Sequence, residues 1–223
     1  MNVLSLFDGD SGGQVALQKL GITFDGKENN YFASEIDPYT IKVTQANFPN
    51  TYQLGNVCDL DAHEIKYWDI DLMMGGSPCQ GFSFAGHQLN FEDSRSKLFF
   101  NFVEILKVVK PKYVLLENVR MAKKSQDIIS EYMGFEPQAL NSKYLSGQNR
   151  YRLYWFGKLQ ADGTYMKRSL VRTKQLPIAP MIDKGITMQD ILEDGYATDV
   201  MTSGGKSHCL TARYNGAVWW NSI

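Results

Sequence analysis

"NVLSLFDGDSGGQVALQKLG", residues 2–21, is the stretch whose reading decides the fold. An apolar run, "NVLSLF", stops at a turn, "DGDSGG", and a segment with helical spacing, "QVALQKLG", closes on Gly21. The order is strand, glycine turn, helix. Glycine carries no Cβ, so this turn lets the backbone come close to a ligand. A following helix would point free N–H groups at an anionic group.

Outward from this unit the same alternation recurs. "NYFASEID" (30–37) reads as a second apolar segment, and "PYTIKVTQANF" (38–48) as a helix with Pro38 at its first position. "TYQLGNV" (51–57) reads as a short strand and "YWDIDLMMGG" (67–76) as a buried one. "SKLFFNFVEILKVVK" (96–110) has helical apolar spacing and stops before Pro111. "YVLLENV" (113–119), "QDIISEYMG" (126–134) and "RLYWFGKL" (152–159) continue as strand, helix, strand. The pattern predicts an α/β fold with a doubly wound, mostly parallel sheet through about residue 158. Ligands of such sheets bind beyond the carboxyl ends of the strands. The glycine-rich and charged turns, 7–13, 35–37, 75–83 and 117–119, all fall there.

We therefore expect residues 1–158 to form the catalytic and cofactor-binding part. Residues 159–223 are expected to form a short, partial or atypical recognition and C-terminal region. In it "QLPIAPMIDKG" reads as a linker and "TMQDILEDG" as a short helix, while "HCLTARYNGAVWWNSI" is unclassified.

A length of 223 residues with 43% hydrophobic side chains supports a large core and argues against wholesale disorder. The opening lacks the basic start and long apolar run of a signal peptide, and no stretch approaches the roughly 20 apolar residues of a membrane span. Cys58, Cys79 and Cys209 share no metal-type spacing and are too few for a disulfide framework. A reduced, cytoplasmic protein is expected, with no membrane partner. Net charge is −1, but residues 1–100 hold 6 Lys/Arg against 13 Asp/Glu, and residues 101–223 hold 17 against 11. A basic face in the second half that meets a polyanion fits this asymmetry; solvated lysines on helix surfaces fit it too.

Five groups of residues carry chemistry. The first turn lacks the G-x-G-x-x-G spacing and no G-x-x-x-x-G-K-[ST] occurs, which disfavours a dinucleotide or nucleoside triphosphate. Glu35 ends the second strand, where doubly wound folds keep an acid for ribose hydroxyls; a solvated strand-end carboxylate is the plainer reading. Cys79 sits behind Pro78 in the glycine-lined "GGSPCQGFSFAG" (75–86), a setting suited to a nucleophile rather than to a packing cysteine. Glu117 and Asn118 end an otherwise apolar strand, where an acid is placed to hold and donate a proton. In "QNRYRLYW" (148–155) Arg150 and Arg152 lie at i and i+2, on one face of a strand, and two guanidiniums side by side suit phosphate or carboxylate recognition.

Taken together these motifs resemble the cytosine-5 DNA methyltransferase family, in wording closest to its phage and bacterial members and to the de novo branch of animal enzymes. "LSLFDGDSGG" is similar to the family's cofactor loop, "ASEID" to its ribose-binding acid and "GGSPCQGFS" to its nucleophile loop. "LLENV" is similar to its Glu-Asn-Val strand and "QNRYRLYW" to its paired-arginine motif, all in family order over residues 3–157. The resemblance implies a Rossmann-like class I methyltransferase fold, S-adenosylmethionine as cofactor with S-adenosylhomocysteine as product, and double-stranded DNA as partner. It implies that Cys79 adds to C6 of a flipped cytosine and that Glu117 protonates N3. Asn118 would hold the loop, and Arg152 with Arg150 would steady the thiolate and the extruded nucleotide. Phe7, Asp8, Gly9, Asp10, Ser11, Gly12, Glu35, Ile36, Asn56, Val57, Pro78 and Leu98 fall on cofactor positions. Ser77, Gln80, Ser83 and Gln148 fall on substrate positions.

Three departures qualify the match. Asp10 stands where the family carries an apolar or small residue, and implies weakened or altered cofactor use. Asn56 replaces an aspartate at the adenine amino group, where its amide oxygen still accepts that bond. Residues 159–223 leave little room for a recognition domain and no closing helix is recognisable, so a fragment, one half of a split enzyme completed by a second chain, and a compact phage-type form all stay open. A methyltransferase-like protein that binds nucleic acid without turnover is the alternative from another class. RNA methylation is disfavoured, because the Cys-Phe-Thr tripeptide of that branch is absent.

Overall fold

The computed structural model describes residues 1–77, 94–168, 183–187, 190 and 207–208. Two compact units divide the chain: residues 1–138 with 153–170, and residues 139–152 with 171–223.

The first unit is built on parallel strands. β1 (Asn2–Leu6) pairs with β2 (Asn30–Ser34) on one side and with β4 (Leu72–Gly75) on the other. β3 (Tyr52–Gln53) extends the sheet beyond β2, and β5 (Tyr113–Val119) extends it beyond β4. β8 (Tyr151–Leu159) follows β5 in the sheet order, and β9 (Tyr165–Lys167) runs antiparallel to its end. The order β3-β2-β1-β4-β5 reverses direction between β1 and β4, which makes that junction the topological switch point.

Alternation along the strands sends side chains to two apolar layers. Leu4 and Leu6 of β1, Met73 of β4 and Val114 and Leu116 of β5 enter one. There they meet Phe99, Phe102, Val103, Ile105 and Leu106 of α4 (Ser94–Val109), Ile129 and Met133 of α5 (Lys123–Met133), and Ile65 of α3 (Ala62–Ile65). Val3, Leu72 and Met74 enter the other, with Tyr31 and Ala33 of β2 and Leu17 of α1 (Gly12–Lys19). Each fully buried Leu or Phe contributes roughly 1.5–3 kcal/mol, so these two layers dominate the stability of the unit.

Local signals set the helix ends. Asp37 caps α2 (Pro38–Asn47) by accepting from Tyr39 N at 2.8 Å, with Pro38 at the first helical position. Gly134 closes α5 at φ 81, its N–H donating to Ser130 O at 2.8 Å. The structure also departs from the sequence pattern in particular places. β3 is two residues rather than seven, because Asn56 caps a 3₁₀ turn at Val57–Asp59 instead of continuing the strand. Tyr67 and Trp68 lie in a 3₁₀ turn that ends at Asp69 with φ 50, so β4 begins only at Leu72. Within the second unit the described pairs are Gln148 with Ser207 and Asn149 with His208, joining β7 (Gln148–Asn149) and β10 (Ser207–His208) in parallel. The strand β6 (Gln138–Asn141), a 3₁₀ turn at Ser142–Tyr144, and β7 were not visible in the sequence pattern. The predicted linker at 175–185 and helix at 187–195 lie mostly outside the described residues.

Gly75 sits at a tight point of the sheet's rim. A Cβ there would sit 2.8 Å from Leu6 O and 3.0 Å from the buried Phe102 ring. Gly75→Ala is therefore expected to cost about 1–3 kcal/mol through overpacking against backbone. Urea denaturation checks this, and an unchanged midpoint would show that β1 and β4 can separate freely at that point.

Candidate active site

Register is what assembles the site. Leu6 of β1 is opposite Ser34 of β2 and Gly75 of β4, and Gly75 is opposite Leu116 of β5. These four residues form one row across the sheet. The next residue of each chain segment is Phe7, Glu35, Gly76 and Glu117, so the glycine turn, the strand-end acid, the segment leading to Cys79 and the Glu-Asn pair emerge along one rim.

The turn after β1 is an unusual piece of backbone. Phe7, Gly9 and Ser11 all have positive φ, at 59, 62 and 60. Only glycine adopts this region without strain, so the two non-glycine residues need support from their surroundings. Glu35 supplies part of it: one carboxylate oxygen accepts from Gly9 N at 2.8 Å, and the other accepts from Ile36 N at 2.7 Å and Asp37 N at 2.9 Å. Asp8 supplies another part. Burial pushes the Asp8 carboxyl above the usual aspartate range, and hydrogen bonds from Ser11, Ser5 and Tyr31 oppose that rise. A Cβ on Gly9 would meet nothing within 4 Å, so space is open directly over the turn.

The other described cofactor-type residues differ in burial. Phe7 and Leu98 are half-buried and pack against the α4 layer, and Val57 is buried within it. Ile36, the residue after Glu35, is an apolar side chain that is 71% exposed. Asn56 is exposed, and its side-chain oxygen accepts from Cys58 N at 3.1 Å. Asp10 and Gly12 are exposed.

Asn118 is 2% exposed, sharing a strand face with the buried Val114 and Leu116. A buried amide in an apolar row needs partners, and it has them. Its Nδ2 donates to Ser77 O at 3.2 Å and its Oδ1 accepts from Val119 N at 2.8 Å. The amide thus fixes the backbone two residues before Cys79. Glu117 is half-buried; its Oε2 lies 3.1 Å from the point where Gly76 would carry a Cβ, so any larger residue at 76 would press on that carboxylate. Pro78, Cys79, Gln80 and Ser83 lie outside the described residues.

Gln148, Arg150 and Arg152 belong to the second unit. Ser142 N donates to Arg150 O at 3.0 Å, Ser142 Oγ to Gln148 O at 2.7 Å, and an Arg152 guanidinium nitrogen to Tyr151 O at 2.9 Å. β8 begins at Tyr151, so Arg150 lies just before the strand rather than on it. Two residues that sequence reasoning passed over, Tyr31 and Thr44, contribute polar atoms to the turn after β1. The available signal was a carboxylate at position 8, next to an apolar strand, with no cation nearby in sequence.

The chain is similar to known proteins over most of its length. The family model described as C-5 cytosine-specific DNA methylase matches residues 1–219. The orphan methyltransferase M.SPRI of Bacillus phage SPR is 37% identical over 170 residues, covering 70% of this chain and 37% of that protein. The type II methyltransferase M.Eco47II of Escherichia coli is 30% identical over 224 residues, covering 92% of this chain and 49% of that protein. This chain therefore spans between about a third and a half of the length of these two relatives. The crystal structure of a triple mutant of Spodoptera frugiperda DNMT2 superposes with a TM-score of 0.65 at 22% identity, over 96% of this chain and 71% of that one; this likeness shows the Rossmann-like fold.

Asn118→Asp tests the anchoring of Ser77. It replaces a buried donor by an oxygen that faces the Ser77 carbonyl, and stability is expected to fall by about 1–3 kcal/mol. The midpoint of chemical denaturation reads this directly, and wild-type stability would show that the Asn118–Ser77 bond is dispensable.

Proposed function

The chain belongs to the C-5 cytosine-specific DNA methylase family, and from that premise we propose that it transfers a methyl group to C5 of a cytosine flipped out of double-stranded DNA. The observation that carries this reading is the shared rim. One register row places the glycine turn, Glu35, the segment entering the Cys79 loop and Glu117 side by side at the topological switch point.

The residues present fit S-adenosylmethionine. Open space over Gly9 leaves room for a ligand against the turn, and the exposed Ile36 beside Glu35 offers an apolar surface next to a hydrogen-bond acceptor. Phe7, Asp8, Gly9, Asp10, Ser11, Gly12, Glu35, Ile36, Asn56, Val57, Pro78 and Leu98 are the residues proposed to hold it. When bound, this cofactor supplies an electrophilic methyl group. The chain's own residues make the cytosine reactive toward it. Cys79 adds its sulfur to C6, Glu117 protonates N3, and electron density gathers at C5; after methylation, loss of the C5 proton breaks the C6–sulfur bond and frees Cys79. Asn118 keeps the nucleophile loop seated through Ser77, and Arg150 and Arg152 meet the negative charge of thiolate and phosphate. Ser77, Gln80, Ser83 and Gln148 are proposed to touch the DNA. Residues 1–158 would supply catalysis, and residues 159–223 a short, partial or atypical recognition and C-terminal region.

A duplex containing 5-fluorocytosine, incubated with S-adenosylmethionine, should trap the chain as a covalent adduct. Cys79→Ser should abolish the adduct, and Glu117→Gln should slow methyl transfer to ordinary duplex by about 10²–10⁴-fold. Methyl transfer by Cys79→Ala at the wild-type rate would overturn the covalent route. Tight DNA binding by the wild-type chain with no transfer at all would favour a binding protein without turnover.

A further inference from the structure

Tyr31 is fully buried between β2 and α1, and its hydroxyl donates to Asp8 Oδ1 at 2.8 Å. The other Asp8 oxygen accepts from Ser11 Oγ. Ser11 is itself fully buried and held at positive φ. From α2, Thr44 Oγ1 reaches within 3.3 Å of Ser11 Oγ and 3.4 Å of Gly9 O. This chain of hydroxyls and one carboxylate ties β2, the glycine turn and α2 together from beneath. The first turn of α1 rests on the same hydroxyl: a Cβ on Gly13 would sit 3.2 Å from it and 2.5 Å from Met74 Sδ.

We propose that Tyr31 is a positioning residue for the cofactor turn, acting through Asp8 and Ser11 to hold residues 7–13 in the conformation that receives S-adenosylmethionine. The inference rests on the reading of that turn as the cofactor site. Packing alone does not explain the arrangement, since a phenylalanine would fill the same volume without requiring a half-buried carboxylate opposite it. Asp8 is faced by Ser5 of β1, by Ser11 in the turn, by Tyr31 of β2 and by the charge of Glu35 at the end of β2. The charged neighbour is an acid, so ionised Asp8 depends on hydroxyl donors, and losing one raises its pKa further. A protonated Asp8 presents one acceptor fewer to Ser11 and Tyr31, which loosens the turn. The sign follows: cofactor affinity falls as pH drops through the Asp8 pKa, and without the Tyr31 hydroxyl that fall begins at higher pH.

The test is calorimetric titration of S-adenosylmethionine into the full chain and into Tyr31→Phe from pH 8 down to the lowest pH at which both stay folded, with thermal unfolding of both. Expected are a cooperative transition within a few degrees of wild type, a Kd raised about tenfold at pH 7, and a deficit that widens as pH falls. Ser11→Ala, which removes a donor to the other Asp8 oxygen, is expected to reproduce both the loss and the pH shift, and serves if Tyr31→Phe does not fold. Wild-type affinity in a folded Tyr31→Phe or Ser11→Ala variant, or a loss that does not change with pH, overturns the positioning role. Absence of binding by the wild-type chain at every pH overturns instead the assignment of the turn to the cofactor.

Discussion

Parallel pairing in a single register is the constraint on which the rest of this structure depends. β2, β1 and β4 end together at Ser34, Leu6 and Gly75, level with Leu116 of β5, and the glycine turn, Glu35, the segment entering the Cys79 loop and Glu117 each follow that row directly. A slip of one residue would turn each side chain to the opposite face and exchange the contents of the two apolar layers. Burial of Leu4, Leu6, Met73 and Leu116 on one side and of Val3, Tyr31, Leu72 and Met74 on the other therefore locks the register. The same burial aligns the rim. Stability and site geometry share one cause.

Glycines at the rim show how tightly the strands approach. Gly75 has β1 backbone on one side and a ring of α4 on the other, and Gly76 lies against the Glu117 carboxylate. A side chain at 75 would press on β1 backbone, and one at 76 would displace the Glu117 carboxylate. The "GG" that precedes the loop is thus a packing requirement before it is a catalytic one.

Polar atoms inside the apolar layers mark where the fold serves the site. Asn118 replaces what could have been another aliphatic residue of β5, and its amide is spent on Ser77 and Val119. Tyr31, Asp8, Ser11 and Thr44 form a second inclusion, beneath a turn with three positive φ angles. Each of these groups would cost stability if left unpaired, and each is hydrogen-bonded to backbone or side chain of a segment that meets ligand in the proposed function. Glu35 works the same way from the other side of the turn, holding Gly9 with one oxygen and the start of α2 with the other.

The sequence by itself determined the alternation of strand and helix, the places where the turns fall, the Pro38 and Gly134 punctuation, and the residue types at the rim. These are short-range properties: apolar period, helix capping and the absence of a Cβ act over a few residues. Only the tertiary structure decided that Ser34, Leu6, Gly75 and Leu116 share one register row, that β3 stops after two residues, and that Arg150 lies before its strand rather than on it. It alone shows that Tyr31 reaches Asp8 across 23 residues and Asn118 reaches Ser77 across 41. No local pattern encodes such pairs, because a hydroxyl or an amide finds its partner only after the apolar faces have packed and fixed which strands are neighbours.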